Sequence, residues 1–216
     1  MPLKLLIGNK AYSSWSLRPW ILMTELGITF DEKVVPLFQD DTDRKIRKIS
    51  PSGKVPALVD DGLVVWESLA IFEYLVERFP KKRIWPRKTA ARAHARALCA
   101  EMHAGFTALR SHLPTNFRRE VAARDIPEAV AADVTRIEAA WAKARKAHGG
   151  KKPFLFGSFS AADAMFAPVV NRLHVYDVPV RKATRAYMDV MLALPSYQQW
   201  LEDAAAEPWV HAPYEL

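Results

Sequence analysis

Cysteine is all but missing from this chain. Cys99 is the single one in 216 residues, so no internal disulfide can form and a cytoplasmic setting is expected. Cys99 sits in an apolar helical stretch and reads as a small buried hydrophobe. No apolar run reaches the roughly 20 residues that a bilayer-spanning helix needs, so no membrane partner is expected. Met1-Pro2-Leu3-Lys4 leads straight into a strand-like run rather than a signal peptide. His103 and His112 do not make a ligand set, and no His/Cys/Asp/Glu cluster has metal-binding spacing, so no metal is expected. Repeats and low-complexity segments are absent. The net charge is +7, but the basic residues are dispersed, from Arg44 and Lys48 to Lys151-Lys152, with no interleaved aromatics. That argues for solvated helix faces and against nucleic acid, while leaving a surface that attracts small anions.

What is present is a chain of 50% hydrophobic residues, enough for a folded core. Its most informative stretch is Ser50 to Leu75. Pro51 and Gly53 mark a loop. Val55 to Val59 reads as a strand, and Leu63 to Trp66 as its partner across Asp60-Asp61-Gly62. Glu67-Ser68 then opens a helix carrying Leu69, Ile71, Phe72 and Leu75 at helical spacing. Pro56 has no N–H and interrupts the sheet edge. A cis Val55-Pro56 bond would turn the N–H and C=O of Val55 outward, where an extended peptide can pair with them. Backbone N–H groups at the start of the following helix favour an anion beside the Glu67 carboxylate. Such a pair suits a ligand bearing both an ammonium and a carboxylate, and an ordinary hairpin with a helix cap fits the same residues.

Upstream, Leu3 to Ile7 is a strand. A helix is expected from about Leu17 to Leu26, with Pro19 in its first turn and Gly27 closing it. Phe30 to Val35 is a second strand, and Asp40-Asp41-Thr42 caps a short helix to about Ile49. The order β-α-β-α-β-β-α is thioredoxin-like. At the first strand-to-helix turn, Ser13, Ser14 or Ser16 can cap the helix, or can hydrogen-bond a thiolate near the positive helix end.

These motifs resemble the glutathione site of the glutathione transferase family, which carries a loop, Val-Pro, a hairpin and Glu-Ser before a helix. The resemblance implies glutathione as co-substrate. The Val55 backbone, next to Pro56, would pair with its cysteinyl part, and Glu67 and Ser68 would hold its γ-glutamyl end. Lys54 would meet its glycyl carboxylate, with Gln39 and Lys48 weaker candidates for the same edge. Ser13 to Arg18 is similar to the serine motif of the zeta and tau classes, which selects Ser13 as the thiolate-stabilising residue and Ser14 as the fallback. Trp15 stands where zeta members usually carry cysteine, which puts zeta-type isomerase activity in doubt. No cysteine occupies position 13, which argues against omega-type thiol transfer.

Phe79-Pro80 ends the helix of the hairpin, and Lys81 to Arg87 reads as a linker. The expected organisation is residues 1–80 as a thioredoxin-like glutathione-binding domain, 81–88 as linker and 89–216 as an all-helical bundle. One helix is expected from Thr89 to about His112, and Met102 and Phe106 on it are candidates for the acceptor-substrate pocket. Another runs from Glu128 to about Ala147. Ser160 and Asp163 have capping-box spacing and match the box that opens the central buried helix in the family's C-terminal domain, with a bend expected at Pro168. A last helix follows Pro195, and Trp209 and Tyr214 lie in a tail that could cover either core or cleft. The expected activity is conjugation of the glutathione thiolate to small electrophiles, a detoxification chemistry. The alternatives are a glutathione-dependent isomerase or peroxidase, or a non-catalytic binding or stress-response protein. A homodimer is implied by the same resemblance.

Overall fold

Alternation along Leu3–Gly8 (β1) decides the layering of the N-terminal half. Leu5 and Ile7 face one side and Leu6 the other, all fully buried. The computed structural model describes residues 2–215. After β1 come Ser14–Glu25 (α1), Phe30–Val35 (β2), Thr42–Arg47 (α2), Ala57–Asp60 (β3), Leu63–Trp66 (β4) and Ser68–Arg78 (α3). The sheet order is β2-β1-β3-β4. β1 and β2 run parallel with Leu3 opposite Phe30, and β3 is antiparallel to both β1 and β4. One face of the sheet packs Leu5, Ile7 and Leu58 under α1 and α3, with Leu17, Ile21, Ile71, Phe72 and Leu75. The other face buries Leu6, Val35, Ile46 and Ala57 with α2. The thioredoxin-like order is as expected. β3 starts at Ala57 and not Val55 because Pro56 has no N–H to give to the ladder. Asp61 and Gly62 both have positive φ (46° and 87°), the requirement of a tight hairpin turn.

The helical half contains Thr89–Ala104 (α4), Thr107–His112 (α5), Glu128–Ala144 (α6), Ala161–Val175 (α7), Lys182–Leu192 (α8) and Pro195–Ala206 (α9). The expected single helix over 89–112 is broken. Gly105 is extended and touches its own helix closely, since a Cβ there would lie 2.9 Å from the Glu101 carbonyl oxygen. Phe106 follows in the left-handed region at φ 57°. The restart at α5 is held from α6, where Asp133 Oδ2 accepts the Leu109 N–H at 2.9 Å. α7 is the axis of this half, buried along nearly its whole length and running through Pro168. Asp163 Oδ2 accepts from both the N–H (3.0 Å) and the hydroxyl (3.1 Å) of Ser160. Its Oδ1 accepts from Leu155 N–H and from Tyr187. The halves share one core, with Trp20 of α1 edge-on to Trp200 of α9 and the Ala161 N–H bonded to the Ile84 carbonyl at 2.8 Å. Cys99 is buried between α4 and α7, and burial pushes its thiol well above the ordinary range.

Candidate functional site

The turn from β1 into α1 is fixed by its own backbone. Asn9 C=O accepts from the N–H groups of Tyr12 (3.3 Å) and Ser13 (3.0 Å), and its side-chain oxygen accepts from Leu37 N–H. That turn sets Ser13 at the N-cap of α1 and Ser14 in its first turn, both on the wall of a cleft of about 740 Å³. Ser13 does not cap the helix. Its Oγ donates to Ser16 Oγ at 2.7 Å, and Ser16 Oγ also accepts from Gly8 N–H at 3.0 Å. Ser16 is fully buried, which leaves Ser13 and Ser14 as the serines of this turn that reach the cleft.

A second hollow of about 350 Å³ adjoins the first, and Trp15, Lys54, Val55 and Arg110 line both. Ser52, Pro56, Glu67 and His103 complete the smaller one. The Val55-Pro56 peptide is cis. Among the described residues neither the N–H nor the C=O of Val55 has a hydrogen-bond partner. Glu67, at the N-cap of α3, has φ 68° and ψ 128°, a conformation that costs a non-glycine residue about 1–3 kcal/mol. Ser68 is fully buried, and among the described residues its hydroxyl has no partner. His103 Nε2 lies 3.8 Å from Glu67 Oε2. Burial lowers the His103 pKa against the pull of Glu67, which favours the neutral ring.

The two stretches read from the sequence are therefore brought to one compound cleft. Matches over residues 12–78 and 121–203 are to the N-terminal and C-terminal domains of glutathione S-transferase. The chain belongs to the glutathione S-transferase family. Glutathione S-transferase Z2 of Arabidopsis thaliana is 28% identical over 204 residues, 88% of each chain. A probable maleylacetoacetate isomerase of Caenorhabditis elegans is 38% identical over 97 residues, a match that spans 45% of either chain. Among solved structures, a glutathione transferase homologue from Burkholderia with bound glutathione is 25% identical, with a TM-score of 0.73 over 96% of this chain and 100% of that one.

Met102, Phe106 and Lys48 fall outside the cleft. Met102 is fully buried and Phe106 nearly so, and neither lines either hollow, because the α4 stripe that carries Met102 packs against α7. Thr107, Arg110 and Ser111 of α5 take the wall instead. Gln39 is on that wall, whereas Lys48 lines a separate groove with Lys4 and Lys33. The tail folds over the cleft, with Tyr214 also packed against the edge of the core. Tyr214 lines the cleft, Phe38 stacks on His211 at 3.6 Å, and Tyr12 donates to Glu215 and accepts from Arg118. Burial raises the Tyr12 pKa, with Glu215 adding to the effect. Tyr12 and Trp15 flank the serines, and that adjacency was the available signal for them. Nothing local marks His103 or Arg110, since the break at Gly105 sets their placement.

Proposed function

We propose that this chain is a glutathione transferase in which Ser13 stabilises the thiolate that attacks a small electrophile. One observation carries the reading. The Val55 backbone is unpaired on the cleft that Ser13 lines, and a short step away the buried Ser68 hydroxyl waits for a partner beside an ionisable Glu67. These groups fit glutathione part by part. Glu67 takes its ammonium, and Ser68 with the N–H groups of α3 takes the neighbouring carboxylate. Val55 pairs with the cysteinyl backbone, and Lys54 faces the glycyl carboxylate. Residues 1–80 would hold glutathione and residues 89–216 the acceptor. A homodimer is part of the same reading.

The serine pair supplies the catalytic detail. A hydroxyl can exchange donor and acceptor roles by rotation. When sulfur arrives, Ser16 donates to Ser13 and Ser13 donates to sulfur, in a chain that starts at the Gly8 N–H. Ser16 is then a positioning residue. Proximity and this preorganised donor do the work. With 1-chloro-2,4-dinitrobenzene, sulfur bonds to the ring carbon and chloride leaves with the electron pair. Ser13→Ala should lower kcat/KM for this reaction by about 100-fold and raise the pKa seen in its pH profile, with the melting temperature little changed. An unchanged rate and profile would remove Ser13 from its role, and the same loss in Ser14→Ala alone would transfer the role there. An isomerase reading has the similarity to the nematode isomerase in its favour, and would show as glutathione-dependent cis–trans conversion of an unsaturated diketo acid without net consumption of glutathione.

A further inference from the structure

Three arginines converge where the halves of the molecule meet, and among the described residues none of them forms an ion pair with a carboxylate. The guanidinium carbon of Arg18 lies 4.1 Å from the centroid of the Trp15 ring, and that of Arg110 lies 4.9 Å from the same ring. Arg18 is 1% exposed, and its Nε and Nη1 have no hydrogen-bond partner. Arg172, on α7, is 5% exposed yet reaches the wall of the larger cleft. Its Nε and Nη1 go to the carbonyls of Leu113 (2.8 Å) and Pro168 (3.3 Å), with Nη2 left over. Arg110 lines both hollows, and its Nη1 reaches the carbonyls of His103 and Gly105. Thr115 lines the same cleft as Arg172, is 2% exposed, and its hydroxyl is unpartnered.

Burial, and then repulsion from the other two arginines, lowers the Arg18 pKa to about 9, and burial with repulsion from Arg110 lowers Arg172 to about 10. Both groups remain charged at neutral pH. Buried cations without a counter-ion are costly, and an anion entering the cleft offsets that cost. Glu67 cannot serve, because the glutathione ammonium is assigned to it. The remaining walls carry Tyr12, Trp15, Phe38 and Tyr214, which suit an apolar or aromatic body.

We propose that the acceptor substrate is a small apolar or aromatic carboxylic acid whose carboxylate binds at Arg110, Arg172 and Thr115 in the cleft lined by Ser13. This rests on the transferase reading and narrows its acceptor. The test compares 4-chloro-3-nitrobenzoate with 4-chloro-3-nitrobenzamide. In both, sulfur bonds to the ring carbon and chloride departs with the electron pair. Each rate is divided by that of the uncatalysed reaction with glutathione, which removes the electronic difference between the two rings. Charge-assisted hydrogen bonds predict a normalised kcat/KM roughly 10- to 100-fold higher for the benzoate. Arg172→Met and Arg110→Met should each bring that ratio toward one, and Thr115→Val should lower it less. Should Arg172→Met fail to fold, the less buried Arg110→Met decides. A ratio near one in the parent, or a ratio that neither arginine change moves, overturns the proposal. So does an equal fall for both probes with a raised KM for glutathione, which would give the arginines to glutathione's own carboxylates. If neither probe is conjugated, the transferase reading fails separately. Equilibrium titration with 3-nitrobenzoate and 3-nitrobenzamide then decides the carboxylate site: tighter benzoate binding that is lost in Arg110→Met upholds it, and equal affinities overturn it.

Discussion

Two helices of this protein begin with a serine and an acid, and they treat the pair in opposite ways. At α7 the acid is Asp163, and both its oxygens are fully used by Ser160, Leu155 and Tyr187. At α3 the acid is Glu67, held at positive φ and lining a hollow, and Ser68 has a buried hydroxyl with no partner among the described residues. The first pair holds the core together. The second leaves open what a ligand would close. Local rules of helix capping are kept where the residues serve stability and broken where, in the proposed reading, they hold glutathione.

The sharpest way to break that comparison is through the charge on each acid. Burial lifts the Asp163 carboxyl to about 6 from an ordinary 3.8, against the hydrogen bonds that pull it down. The folded chain therefore holds a proton there that the unfolded chain releases. The stabilisation is complete below about pH 4 and is lost as pH rises through 6, by up to about 3 kcal/mol. Urea unfolding across that range should show this decline in the parent and not in Asp163→Asn, which is itself less stable because its amide faces donors. At α3 the expectation inverts. Glu67→Gly removes the strained side chain and the carboxylate together. Glutathione KM should rise about 100-fold while the melting temperature holds or increases, and a clear drop in melting temperature would sink the idea of strain at residue 67. The smallest effects separate the serines. Ser160→Ala should cost about 0.5–2 kcal/mol of stability. Ser68→Ala should cost only a few tenths of a kcal/mol, since it breaks no bond, yet weaken glutathione about tenfold. Equal stability losses in the two calorimetric scans would erase the distinction.

Much of the N-terminal half was legible because its signals are short. The Asp61-Gly62 turn, the closing Gly27 and the apolar alternation of β1 each involve a few neighbouring residues. The Ser160–Asp163 box was legible for the same reason. The break at Gly105 was not, because a single glycine does not end a helix, and the new start at α5 depends on Asp133 some distance along the chain. The missed break is what sent Met102 and Phe106 to the acceptor wall in place of Thr107 and Arg110. α8 had no counterpart among the expected helices, although its buried Thr184, Tyr187, Met188 and Met191 keep helical spacing. Its many polar neighbours mask the pattern.

The sequence by itself determined the order of elements in the N-terminal half, the Val55-Pro56 corner and the serine and acid at the starts of α3 and α7, because those are properties of contiguous residues. Only the tertiary structure decided that Arg18 and Arg110 meet at Trp15, that Arg110 and Arg172 share the wall of one cleft, and that the tail from His211 to Glu215 folds over it. Those residues are scattered along the chain, and what brings them together is the packing of α1 on α7 and of α5 on α6, which no local pattern encodes.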